Sequence, residues 1–192
     1  MIAIIDCGSS KVPYIEECID TEMDFVTFQW DQIDLEKLNS CKGVVISGAP
    51  KLVTEIDLSP YLKAFSWIKE TQLPVLGICF GHQIIGLLHG ANAGKMKEDR
   101  DWQEIEFYKD HPLINKLPKT LKMMEDHCEA ISIPSGFELI AGSDACVNEG
   151  MEHKSKPLFG VQFHPEVSGN HGLVLLQNFI SYCLKDKNNN DL

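Results

Sequence analysis

Short apolar runs alternate with amphipathic stretches through the first half of the chain. Ile2 to Ile5, Phe25 to Phe28, Gly43 to Ile46 and Val75 to Ile78 are compact apolar segments of strand length. Between them, Pro13 to Ile19 reads as a short helix with proline in its first turn. Pro60 to Glu70 sets Leu62, Phe65 and Ile68 at helical spacing, and Phe80 to His89 forms a third helix. Strands that are apolar throughout, rather than alternating, are buried on both faces. Their alternation with helices predicts βαβ units and a parallel sheet.

The pattern changes after residue 102. Gln103 to Phe107, Leu121 to Met124, Ala130 to Ile133, Glu138 to Ala141, Ala145 to Val147 and Leu158 to Val161 read as successive short strands, some of them antiparallel. Lys95 to Asp101 is charged and reads as a solvated loop. Leu173, Leu176, Phe179, Ile180 and Cys183 mark a closing amphipathic helix. The expected fold is α/β: a single-domain, open, mostly parallel sheet flanked by helices, with extra antiparallel strands in the second half. One domain spans 1–184, and a polar, Asn-rich tail, 185–192, is expected to be disordered.

Composition narrows the function classes. The 192 residues carry a formal charge of −11 with no Lys/Arg stripe, which excludes a nucleic-acid footprint and disfavours an anionic membrane surface. Seven cysteines (Cys7, Cys18, Cys41, Cys79, Cys128, Cys146, Cys183) form no C-x-x-C pair, so neither a disulfide framework nor a zinc spacing is present. A reducing, cytoplasmic setting fits them. The first residues, Met1 to Asp6, lack the basic leader of a signal peptide, and no apolar run reaches membrane-spanning length.

The chemistry gathers around Gly77-Ile78-Cys79-Phe80-Gly81-His82-Gln83, directly after a buried strand. This is the cysteine form of the strand–turn–helix nucleophile elbow. Gly77 and Gly81 let strand and helix approach closely, the turn presents the sulfur, and the N-terminus of the following helix favours thiolate. A nucleophile needs a base and an orienter for that base. In Gly160-Val161-Gln162-Phe163-His164-Pro165-Glu166, His164 ends a strand and Glu166, two residues on in an extended run, can hold one imidazole nitrogen. Two oxyanion donors are available: the Phe80 N–H and the turn Ser47-Gly48-Ala49-Pro50. His82, three residues past Cys79 on the helix, is read instead as a packing or rim residue.

Together Gly-Ile-Cys-Phe-Gly-His-Gln, Gly-Val-Gln-Phe-His-Pro-Glu and Ser-Gly-Ala-Pro resemble the class I, triad-type glutamine amidotransferases over residues 1 to about 183. The resemblance implies their flavodoxin-like fold and hydrolysis of the glutamine side-chain amide through a thioester on Cys79, with His164 and Glu166 completing the triad. It implies an oxyanion hole at Ala49 and Phe80, and glutamine contacts from Gly48, Gln83, Asp126, His127 and Cys128. It implies no cofactor in this chain, ATP and Mg being expected only in a separate ATP-dependent synthetase partner that takes the ammonia. Ile4-Ile5-Asp6-Cys7-Gly8-Ser9 and Cys146-Val147-Asn148-Glu149 are similar to the branch serving GMP synthesis, whose amidotransferase stands free of the synthetase.

The departures from the family pattern are local. Ala49 replaces the second glycine before proline, and a methyl group penalises positive φ there. Ser10-Lys11 replaces Gln-Tyr, and Asp126 and Glu129 replace Ser and Asp. Two alternatives stay open on the sequence: a stand-alone γ-glutamyl hydrolase, and a degenerate, non-catalytic regulatory subunit.

Overall fold

The computed structural model describes residues 1–185. The expected tail falls outside these residues, apart from Lys185. The elements run β1 (Ile2–Asp6), α1 (Val12–Asp20), β2 (Phe25–Gln29), α2 (Leu35–Asn39), β3 (Gly43–Ile46), α3 (Ser59–Ala64), β4 (Val75–Ile78) and α4 (Phe80–Leu88). They continue with β5 (Ala93–Phe107), β6 (Thr120–Ile131), β7 (Phe137–Gly142), β8 (Gly150–His153), β9 (Leu158–Val161) and α5 (Gly169–Leu184). Among the described residues no helix is long and apolar enough to cross a membrane.

All the strands belong to one sheet, ordered β2-β1-β3-β4-β9-β8-β7-β5-β6. The pairings from β2 through β9 are parallel, and those from β9 through β6 are antiparallel. The apolar runs explain the parallel half. Alternate residues of one strand feed two cores on opposite faces: Ile2, Ile4, Val45, Leu76 and Ile78 pack with α1 and α5. Ala3, Ile5, Val44, Ile46 and Val75 pack with Phe65, Phe80 and Ile84 on the other side. Each fully buried Ile or Leu contributes about 1.5–3 kcal/mol, which offsets the entropy of ordering such short strands.

Four local expectations are corrected. Lys95 to Asp101 is no loop: it belongs to β5, paired with β6 across a register shift between Lys95 and Asp99. Its residues are mostly exposed on both faces, so no apolar alternation announces the strand. The segments 121–124 and 130–133 are parts of one strand, β6, ending at Ile131. Ala145 to Val147 is not a strand: the Ser143 hydroxyl accepts the Ala145 and Cys146 amides at 3.2 and 3.0 Å, closing a turn before β8. The helix expected over 60–70 stops at Ala64 and continues as a 3-10 turn, Ser66–Lys69.

Candidate active site

Strand β4 runs directly into Cys79, and α4 begins at the next residue. Cys79 holds φ 51° and ψ −104°, a conformation costing a non-glycine residue about 1–3 kcal/mol. Hydrogen bonds on both sides hold it there. Its N–H donates to the Val161 carbonyl at 2.8 Å, and its carbonyl accepts from the Gln83 N–H at 3.0 Å. The flanking glycines serve close approach, as the sequence predicts. A Cβ on Gly77 would lie 2.5 Å from the Gly81 carbonyl, and one on Gly81 would lie 2.5 Å from the Ile46 oxygen.

His164 follows β9 by three residues, so β4 and β9, which are adjacent and parallel, deliver the sulfur and the imidazole to the same sheet end. Its N–H donates to the Met124 carbonyl at 2.8 Å, and its φ of −107° and ψ of 85° keep it out of helical geometry before Pro165. Nδ1 lies 2.8 Å from Glu166 Oε1, the predicted pairing. The backbone that achieves it differs from expectation: Glu166 sits in a 3-10 turn, Pro165–Val167, not in an extended run. Both side chains are buried. Burial alone would lower the His164 pKa, but hydrogen bonds and opposite charge from Cys79 and Glu166 outweigh it and raise it to about 10.

A cleft of about 340 Å³ opens over this group, lined by Cys79, Phe80, Gln83, His164 and Ala49, and by Asp126, His127 and Cys128 of β6. Phe80 is the first residue of α4, so its N–H has no intrahelical acceptor and remains available at the cleft. Ala49 is not strained. Among the described residues, Cys79, Asp101 and Lys116 are the non-glycine positions with positive φ, so the methyl group costs nothing of the kind the sequence suggested.

The structure separates the remaining candidates. Gly48 does not line the cleft; it backs the site, with room for a Cβ only 3.2 Å from His164 Cε1 and 3.6 Å from the Cys79 Cβ. Gln83 is buried and donates from Nε2 to Gln162 Oε1 at 3.0 Å and to the Glu129 carbonyl at 3.3 Å. Asp126 sits at the rim, 2.9 Å from Lys11 Nζ and 3.4 Å from Arg100 Nε. The Lys11 hydrogen bond comes first among the causes that hold its carboxyl below the usual range. His127 is buried, with Nδ1 2.9 Å from the Glu129 carbonyl, whereas Cys128 is half-buried. His82 is wholly buried against Gly160, and burial lowers its pKa to about 3, in keeping with a packing role.

Gln162 was missed by the sequence reading. Its Nε2 lies 3.5 Å from the Cys79 sulfur, while its Oε1 accepts from Gln83. It stands inside the motif that carries His164, but its spacing alone does not say that its amide turns towards the sulfur.

The sequence model of the family described as "Glutamine amidotransferase class-I" matches residues 3–182. A glutamine-hydrolysing GMP synthase subunit from Methanocaldococcus jannaschii is 32% identical over 189 residues, 95% of this chain and 97% of that protein. The relative of the same name from Pyrococcus abyssi is 32% identical, covering 95% of this chain and 98% of its own. Among solved structures, a protein described as a GMP synthase subunit from Thermoplasma acidophilum superposes with a TM-score of 0.86 at 29% identity, over 95% of this chain and 92% of its own. A glutamine amidotransferase from Thermotoga maritima shares the fold, with a TM-score of 0.73 at 20% identity over 94% of this chain and 82% of its own. The elbow, the cleft above it and these relatives lead to one conclusion: the chain belongs to the class I glutamine amidotransferase family.

Proposed function

We propose that this chain is the glutamine-hydrolysing component that supplies ammonia for GMP synthesis, acting beside a separate ATP-dependent synthetase. The observation that carries the chemistry is the strained Cys79 elbow facing a His164–Glu166 pair across one cleft. The partner and the acceptor rest on the relatives named as GMP synthase subunits.

In this reading Cys79 Sγ attacks the side-chain carbonyl carbon of glutamine. The oxyanion accepts from the Phe80 and Ala49 amides. His164, held by Glu166, gives its proton to the departing nitrogen, so ammonia leaves and a thioester remains. His164, now neutral, takes a proton from water, whose oxygen attacks the thioester; glutamate leaves and the sulfur regains its starting state. Asp126, His127 and Cys128 border the part of the cleft that receives the amino-acid end of glutamine, with Gly48 behind the reacting groups. Gln83 acts through Gln162, whose amide faces the sulfur and steadies it. The activity is confined to the cytoplasm, where glutamine and the synthetase are available.

The test uses the full chain with glutamine, with and without the candidate synthetase, ATP, Mg2+ and the xanthine nucleotide. Glutamate release and GMP formation are expected to rise together when the partner is added. Cys79→Ala is expected to abolish both, and to lose the mass adduct formed with a glutamine-like electrophile, while its circular dichroism stays unchanged. Glutaminase activity retained in that variant would overturn the mechanism. Glutamine hydrolysis indifferent to the synthetase would overturn the GMP assignment alone.

A further inference from the structure

Beside the cleft, sharing His127 with its lining, lies a group of buried carboxyls that the proposed reaction does not use. Asp99, Glu125, His127 and Glu149 converge from separate segments. Asp99 stands where the β5 register shifts, and this irregularity accompanies a carboxyl turned into the interior. Glu125 and His127 are alternate, inward positions of β6, and Glu149 directly precedes β8. One ligand atom each from Asp99, His127 and Glu149 lie within 4.8 Å of one another, and Glu125 Oε2 is 3.3 Å from His127 Nε2.

All four residues are more than nine-tenths buried: Glu125 and Glu149 are 0% exposed, Asp99 5% and His127 8%. Yet Asp99 Oδ2, both Glu125 oxygens, His127 Nε2 and Glu149 Oε2 have no hydrogen-bond partner. Among the described residues the only ion-pair partner of these carboxylates is His127. One imidazole cannot satisfy three buried carboxyls. Its Nδ1 lies 2.9 Å from the Glu129 carbonyl and its Nε2 3.3 Å from Glu125 Oε2, while the Glu125 and Glu149 carboxyls face one another. Carboxyls buried this close together need either a shared proton or a cation between them.

We propose that Asp99, His127 and Glu149, with Glu125 as a fourth ligand, bind one divalent first-row transition cation of the Mn2+, Fe2+ or Zn2+ class. One imidazole with several carboxylate oxygens suits these ions better than Mg2+ or a thiolate-seeking metal. Bonds of about 2.0–2.2 Å put tetrahedral donors about 3.4 Å apart, so donors that now lie within 4.8 Å of one another draw in by up to about 1.4 Å when the ion binds. The sequence shows no zinc spacing among its cysteines, and spacing within one segment cannot reveal ligands drawn from three.

The ion's role is positioning. It ties the β5 irregularity, the inner face of β6 and the turn before β8 to one point. Gln162 N donates to the Glu149 carbonyl at 2.9 Å, and Gln162 Nε2 reaches the Cys79 sulfur, so the cluster is one residue removed from the nucleophile.

The experiment reads binding, not turnover, so it stands apart from the glutaminase assignment. The full chain is stripped with a chelator and titrated with Mn2+, followed by loss of the free-ion electron paramagnetic resonance signal, with Zn2+ as competitor. One Mn2+ per chain is expected, displaced by Zn2+, and bound at least tenfold more weakly by Glu149→Gln. Asp99→Asn is expected to weaken it likewise, and serves if the first variant does not fold. Absence of stoichiometric uptake of either ion overturns the proposal, as does undiminished uptake in both variants when folded. An infrared band of a protonated carboxyl that persists at saturating Mn2+ and disappears in Glu149→Gln also overturns it, because a shared proton then holds the cluster.

Discussion

Two glycines near the nucleophile make opposite predictions when each is replaced by alanine. At Gly81 the new Cβ would meet the Ile46 carbonyl oxygen at 2.5 Å, and a backbone atom of a central strand cannot yield. The contact falls about 0.9 Å short of van der Waals distance, so α4 must lift off the sheet; a cost of at least about 3 kcal/mol outweighs the gain in helix propensity of about 1 kcal/mol. At Gly48 the new Cβ meets the edge of the His164 ring at 3.2 Å, a shortfall of about 0.2 Å. A side chain can move by that amount for about 1 kcal/mol. The movement, however, strains the 2.8 Å bond from Nδ1 to Glu166 and, in the proposed reaction, displaces the imidazole from the sulfur. Gly81→Ala is thus expected to lower Tm by about 4–8 °C net, and Gly48→Ala by only about 2–4 °C. Gly48→Ala is expected to lower kcat for glutamine about 10- to 100-fold with its fold intact. Differential scanning calorimetry and a coupled glutamate assay measure both quantities. A Gly81→Ala protein with wild-type Tm, or a Gly48→Ala protein with wild-type kcat, would refute the reasoning.

Other outcomes follow from the same geometry. The His164 pKa is raised from 6.5 to about 10, so its charged form stabilises the fold fully below pH 6.5, and that contribution is lost as pH rises through about 10. Nitrogen NMR of the ring is expected to show it protonated from pH 6 to 9 in the wild type and titrating lower in Glu166→Gln; a wild-type midpoint near 6.5 contradicts this. Because Ala49 has no positive φ, Ala49→Gly is expected to leave kcat unimproved and to destabilise by about 0.4–1 kcal/mol through the unfolded chain. A clear gain in kcat would mean that the methyl group does constrain the oxyanion site.

What the sequence discloses depends on whether a feature is local. Strands β1, β3 and β4 are legible because both faces are buried and every position but Asp6, at the end of β1, is apolar. The elbow is legible because a glycine on either side of Cys79 is a local steric demand. The first part of β5 is hidden because both its faces meet solvent, so it carries no periodic signal. The Ser143 turn is hidden for another reason: Ala145 to Val147 has strand-like composition, and a single hydroxyl decides against it. Gln162 and the carboxylates around His127 are defined by which way side chains turn across strands distant in sequence, which no window of residues encodes. Glu166 lies between these cases, since its partner is predicted correctly while the turn that presents it is not.

Strand β9 joins the two halves of the sheet, lying between β4 and β8. It also leads into Gln162 and His164, so the residue that completes the site follows the strand that completes the sheet. During synthesis β2, β1, β3 and β4 emerge first, and Cys79 emerges with them. Until β9 arrives, the β4 edge is bare and Cys79 lacks both the Val161 carbonyl that pins its amide and the imidazole beside its sulfur. Under the proposed reaction, a nascent or truncated chain therefore carries the thiol without the means to use it. Catalytic competence would then certify that the sheet has closed.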